Sequence, residues 1–207
     1  MDTKAVCDML GAAVVIACLF LKVPQIYNIL KSGSSKGLSL PSVMMEFWCY
    51  TVNLTYGLAN SYPLSTYFEY TLLVLQDVIV LILIVHYRKM FQPFMLFGAV
   101  VYLALSISIA LGFWPKVIMG LIISMNMPMI CGSKLTQFYK IYSSKKAGQV
   151  SLVSWSIASC TSGTRIVTTL LLTGDVVLMS NFVVGFLLNL TNAIAIIYYG
   201  RVDKKRD

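Results

Sequence analysis

The chain has 207 residues, of which 58% are hydrophobic and 12% charged, with a net charge of +8 and a mean hydropathy of +0.79. A soluble domain of this size carries about a quarter charged residues, so the composition excludes that class and indicates a polytopic membrane protein. No stretch offers the basic, aromatic-bearing soluble face that a nucleic-acid partner requires.

A spanning helix needs roughly 20 apolar residues to cross a hydrocarbon layer about 30 Å thick. Seven segments meet that length: Met9–Leu30, Leu38–Ala59, Thr66–Tyr87, Pro93–Gly112, Val117–Tyr142, Val150–Leu172 and Val176–Gly200. None alternates in hydrophobicity as a barrel strand does. The expected fold is therefore an all-α membrane protein of seven transmembrane helices. No charged region, short apolar core and small-residue cleavage site lead the chain, so the first segment is expected to be retained.

The first segment ends in "LKVPQIYNILKSGSSKGLSL", residues 21–40. Pro24 lacks an N–H and clashes with the carbonyl one turn earlier, which weakens a helix locally. In a bilayer the freed backbone groups need polar partners, a task Gln25 can share unless it lines a cavity. Ser39 with Pro41 reads as the start of the second segment, an N-cap followed by a first-turn proline. Lys22 lies toward a helix end, where snorkelling to the headgroups accounts for it.

Ionisable and amide side chains inside spanning segments are expensive unless they face a cavity or a partner. The second segment places Glu46, Tyr50 and Asn53 on one face, and the third places Glu69, Leu73 and Asp77 on one face. Asp77, near mid-segment, is the first candidate: a carboxyl group there can take up and release a proton as water access changes. The alternative is a structural hydrogen bond to a neighbouring helix, with Gln76 contributing. In the fifth segment Asn126 and Pro128 put a polar group and a helix break into "SMNMPMI". Thr161, Arg165 and Thr168 share a face of the sixth. Arg165 needs a counter-charge, with Glu46 and Asp77 as candidates. It either binds an anionic part of a substrate or is held in a structural ion pair. Trp48 and Trp155 read as packing or interfacial anchors, and the five cysteines as small packing residues without metal spacing. No nucleophile paired with a base and no phosphate loop appears, so neither an enzyme nor a cofactor is expected.

With the N-terminus outside the cytosol, eleven Lys and Arg fall in cytosolic loops and tail and two, Lys4 and Lys116, on the opposite side. The positive-inside rule therefore puts the N-terminus in the lumen and the C-terminus in the cytosol. The chain closes on Lys204-Lys205-Arg206-Asp207. These lysines match a dilysine retrieval signal and favour the endoplasmic reticulum over the lysosome; a stop-transfer basic tail is the plainer alternative.

Sliding the chain along itself until Lys22 falls on Lys134 lays the opening stretch on "KLTQFYKIYSSKKAGQVSL" without a gap. Gln25, Tyr27, Ile29, Ser32, Ser39, Leu40 and Ser42 then fall on Gln137, Tyr139, Ile141, Ser144, Ser151, Leu152 and Ser154. The same shift lays Glu69 on Asn181, Asp77 on Asn189 and Asn53 on Arg165. Three helices and a connector separate equivalents, so both halves run the same way: a parallel repeat with a cavity between its halves. The division is 9–87, connector 93–112, 117–200, and a basic tail 201–207.

"PQIYNILKSGSSKGLSLPS" resembles the motif of the PQ-loop repeat transporters, the superfamily that includes cystinosin and the SWEET sugar carriers. The resemblance implies two parallel three-helix bundles joined by one helix, and transport by alternating access. It implies that Pro24, with Gln25, is a hinge in a moving gate, where the residues alone show a kink. The second repeat departs from the motif with Thr136-Gln137, so a mechanism of two equivalent proline hinges is not expected. In the sugar carriers an asparagine pair in the corresponding helices holds substrate; Asp77 with Asn189 resembles that pair with one member replaced by an acid. This suggests proton coupling through Asp77 and Glu46, or a substrate with a donor-rich or cationic group. The expected function is an endomembrane carrier of a small polar solute such as a sugar, amino acid or related metabolite. The alternative is a non-transporting membrane factor, either a retrieval receptor or a dolichol-sugar utilisation factor. A monomer suffices, and a homodimer is compatible.

Overall fold

The computed structural model describes residues 3–35, 40–144 and 152–203. All its regular structure is helical among the described residues: α1 (Thr3–Leu19), α2 (Val23–Ser32), α3 (Leu40–Ala59), α4 (Phe68–Tyr87), α5 (Pro93–Ala110), α6 (Lys116–Ser124), α7 (Asn126–Ser144), α8 (Leu152–Leu172) and α9 (Val176–Asp203). A single 3₁₀ turn, Leu64–Thr66, precedes α4. Among the described residues, three helices are long and apolar enough to cross a membrane, namely Phe68–Tyr87, Pro93–Ala110 and Val176–Tyr199. The expected N-cap Ser39 and the dilysine pair Lys204-Lys205 lie outside the described residues.

The first and fifth expected segments are each two helices rather than one. The first breaks at Phe20–Lys22, and Pro24 stands in the first two positions of α2. A proline there forfeits no intrahelical hydrogen bond, because the first N–H groups of a helix have no partner inside it. Pro24 therefore opens a new helix and does not kink a continuous one. The fifth segment breaks at Met125, which puts Pro128 in the first turn of α7. Carried across by the repeat, the first break falls on 132–134, inside α7, so the two breaks are not equivalent.

The chain divides into two compact units, residues 1–123 and 124–207. In the first, α4 is central, packed by α1, α2 and α3, while α3 also carries α5. The inward face of α4 is Glu69, Leu73, Asp77, Val80 and Ile84, at spacings of three and four. The α5 helix buries no residue, and its Phe94, Phe97 and Leu103 are exposed, as suits a helix facing hydrocarbon. Gly11 lets α1 approach closely, because a Cβ there would lie 2.8 Å from the Ser65 carbonyl oxygen. In the second unit α9 is central, packed by α7 and α8. Asp175 caps α9 by accepting the Leu178 N–H at 2.9 Å.

Every residue given for the second core falls on a position of the first, which also includes Leu40, Val80 and Leu81. One is built on Ile29, Val43 and Ile84 with Ile26, Leu83 and Tyr87 against it. The other joins Ile141, Trp155 and Ile196 with Phe138, Ala195 and Tyr199. The shift that lays Lys22 on Lys134 lays each residue of the first set, in the order given, on its counterpart in the second. The volumes are redistributed, with Leu83 becoming Ala195 where Val43 becomes Trp155, which is how a packed core conserves its total.

Candidate functional site

A broken helix leaves carbonyls at the end of one piece and N–H groups at the start of the next without intrahelical partners. At the α1–α2 break one side chain serves both. Gln76 of α4 accepts the Lys22 N–H at 3.2 Å through Oε1, and its Nε2 donates to the carbonyls of Cys18 at 3.2 Å and Leu19 at 3.4 Å. Gln25, expected from the sequence to share this role or to line a cavity, is half-buried on α2. Gln76 does it because it reaches across from a packed helix that lies far along the chain.

The break also carries a charge. Lys22 is buried, and its ammonium is shared between the Glu46 carboxylate of α3, with which it makes a close ion pair, and Asp77 Oδ1 of α4 at 3.0 Å. This overturns the snorkelling expectation: the α1–α2 break turns the side chain inward, where two acids compensate it. Asp77 is wholly buried, whereas the Glu46 side chain is 44% exposed. Tyr50 lies within electrostatic range of both carboxylates, and its ring is 6.2 Å from that of Tyr70. The expected counter-charges for Arg165, Glu46 and Asp77, are thus both engaged by Lys22.

The second unit contains a matching contact. Lys134 Nζ donates to Asn189 Oδ1, and the ammonium sits 5.4 Å from the centre of the Trp155 ring. Asn189 Nδ2 in turn donates to the Ala158 carbonyl at 3.0 Å and to Ser162 Oγ at 3.2 Å. Asn192 Nδ2 donates to the Lys134 carbonyl at 3.2 Å. Lys134 and Asn189 are the repeat counterparts of Lys22 and Asp77, so a lysine meets the amide or acid of the central helix in both units.

Of the remaining sequence candidates, Asn53 spends its Nδ2 on the Cys49 carbonyl of its own helix at 2.8 Å. Asn126 is fully buried at the start of α7, and Arg165 is buried on α8 beside Thr168, whose hydroxyl donates to the Arg165 carbonyl at 3.4 Å. Glu69 and Asn181 are buried on α4 and α9. At the end of α4, Arg88 donates from Nε to Ser35 Oγ at 3.2 Å and from Nη2 to the Ser35 carbonyl at 3.3 Å, fastening the turn after α2. Gly33 closes α2 in the left-handed conformation.

The PQ loop repeat family model matches residues 6–66. That span holds α1 from its first turn onward, the break, α2 and α3. Solute carrier family 66 member 3 of Homo sapiens, of the PQ-loop repeat-containing protein 3 family, is 34% identical over 194 residues, covering 92% of this chain and 92% of the relative.

Proposed function

The chain belongs to the PQ-loop repeat family of solute carriers, a transporter-type class of membrane protein, and from that premise we infer that it carries a small polar solute across an endomembrane by alternating access. The observation behind this reading is the Lys22–Glu46–Asp77 cluster set against a helix break that Gln76 holds together. A buried charged cluster beside an interruption in a helix couples binding to bending, because occupancy of the cluster changes what ties the break to its neighbours. Asp77 binds substrate or proton, Glu46 is the exposed acid through which either arrives, and Tyr50 borders them. Asn189 supplies the amide counterpart in the second half, with Arg165 and Asn126 as further buried polar groups. Pro24 with Gln25 marks the joint at the α1–α2 break and Pro128 the joint at the α6–α7 break, while Gln137, the repeat counterpart of Gln25, lies further along α7.

The matching lysine contacts and the matching core positions support an arrangement of two parallel three-helix repeats joined by α5. On this reading the monomer is the functional unit, with its N-terminus lumenal and its basic tail favouring the endoplasmic reticulum. The test is solute counterflow in proteoliposomes across sugars, amino acids and polyamines, wild type against Asp77→Asn. Saturable flux that Asp77→Asn abolishes or makes insensitive to pH supports the carrier. Peptide binding without flux of any solute transfers the chain to the receptor class.

A further inference from the structure

Three charges meet at the α1–α2 break and they do not cancel. One ammonium, Lys22, faces two carboxylates, Glu46 and Asp77, leaving one negative charge in excess. An uncompensated charge at membrane depth is costly, and Asp77 Oδ2, fully buried, accepts no hydrogen bond among the described residues. The cluster therefore lacks both a positive charge and a donor. Glu46 is the accessible member of the cluster: its side chain is 44% exposed, and a carboxylate inside a spanning segment is expensive unless that exposure is to water. Tyr50, within electrostatic range of both carboxylates, borders the cluster, with its ring 6.2 Å from that of Tyr70.

We propose that this is an ammonium site: the solute carried is a primary amine, whose charged head enters along Glu46 and competes with Lys22 for Asp77. Lys22 is then an internal competitor that neutralises part of the site while it is empty and yields when substrate arrives. The proposal narrows the carrier reading to one class of substrate and rests on it. A carboxylate or phosphate substrate fits poorly, since it would face two acids, one of them half open, before reaching the only cation of the cluster.

The test uses a matched four-carbon series on the purified full-length protein: 1,4-diaminobutane, 1,4-butanediol and succinate, with binding followed by thermal shift and calorimetry. The diamine binds at least tenfold more tightly than the diol, and succinate does not bind. Lys22→Met, which removes the competitor, tightens diamine binding about tenfold, equivalent to about 1.4 kcal/mol, and Asp77→Asn weakens it by a similar factor. Should Lys22→Met fail to fold, Lys22→Arg serves: a guanidinium grips carboxylates more firmly than an ammonium, so diamine binding weakens several-fold while stability holds. A diol that binds as well as the diamine overturns the proposal, as does weaker diamine binding in Lys22→Met or no diamine shift in any variant. Counterflow separates this from the carrier reading. Flux of hydroxyl or anionic solutes without amine binding removes the ammonium site alone, and amine binding without flux of any solute removes the carrier alone.

Discussion

Gln76 and Asp77, neighbours on α4, grip the two ends of one residue: Gln76 takes the Lys22 backbone N–H at 3.2 Å and Asp77 takes its ammonium at 3.0 Å. The helix break is thus fixed from outside by two adjacent side chains, one acting on the backbone and one on the charge.

Removing the first grip is a stability experiment. Gln76→Leu leaves the Lys22 N–H and the Cys18 and Leu19 carbonyls short of a partner, at about 1–3 kcal/mol for each group left unsatisfied. The expected result is a marked fall in thermal stability in detergent, with solute binding recovered at low temperature. An unchanged melting temperature would show that the break is held by other contacts.

The two lysines should respond unequally. Lys22→Met leaves two acids with no cation between them, and breaking a buried ion pair from one side costs about 3–5 kcal/mol. Lys134→Met leaves one amide oxygen wanting a donor, at about 1–3 kcal/mol. Parallel melts of the two variants check the order; equal losses would mean that the extra carboxylate of the first cluster contributes nothing.

Asparagine at position 77 mimics a protonated acid and recreates the Lys134–Asn189 contact of the second unit. The Asp77→Asn protein is therefore expected to fold, with a stability change within about 1 kcal/mol, the scale of one hydrogen bond, and its flux should be flat with pH. Asp77→Leu, which offers Lys22 no acceptor, should be far less stable. Flux measured from acid to neutral pH in the three proteins distinguishes a titrating group from a structural one.

Gly11 and Gly33 restrict substitution for different reasons. A Cβ at 11 meets the Ser65 carbonyl oxygen at 2.8 Å, whereas at 33 there is open space but φ is +59°. Gly11→Ala should lower the melting temperature by forcing α1 away from the 3₁₀ turn. Gly33→Asn should cost little and Gly33→Val about 1–2 kcal/mol, because asparagine tolerates the left-handed region and a β-branched residue does not. Melts of the three variants test this ordering.

Much of this was legible in the residues. Hydropathy and length marked the chain as an all-helical membrane protein, and the polar positions Glu46, Asp77 and Asn189 stood out because apolar surroundings make each costly. The internal repeat paired Lys22 with Lys134 and Asp77 with Asn189 without any sign that the lysine touches the acid or amide. What stayed hidden was partnership across helices. Nothing local in "LKVPQ" says that Lys22 turns inward, since that depends on two acids carried by α3 and α4. Gln76 makes the hydrogen bond to a neighbouring helix expected of it, but a lone glutamine in an apolar run does not say which three backbone groups it meets. The placement of the breaks was also obscured, because a proline marks where a helix can begin as readily as where it bends.

The two lysine contacts differ in what they can transmit. Lys22 stands at a joint between two rods, so loosening it from Asp77 removes one of the two grips that set the angle of α2, about 15 Å long, to α1. Lys134 stands inside α7, away from the α6–α7 break at Met125, so its hold on Asn189 acts along the rod against α9 and not at a joint. Duplicated chemistry is mounted on two kinds of bearing, and the proposed transport cycle would draw a bend from one and a slide from the other.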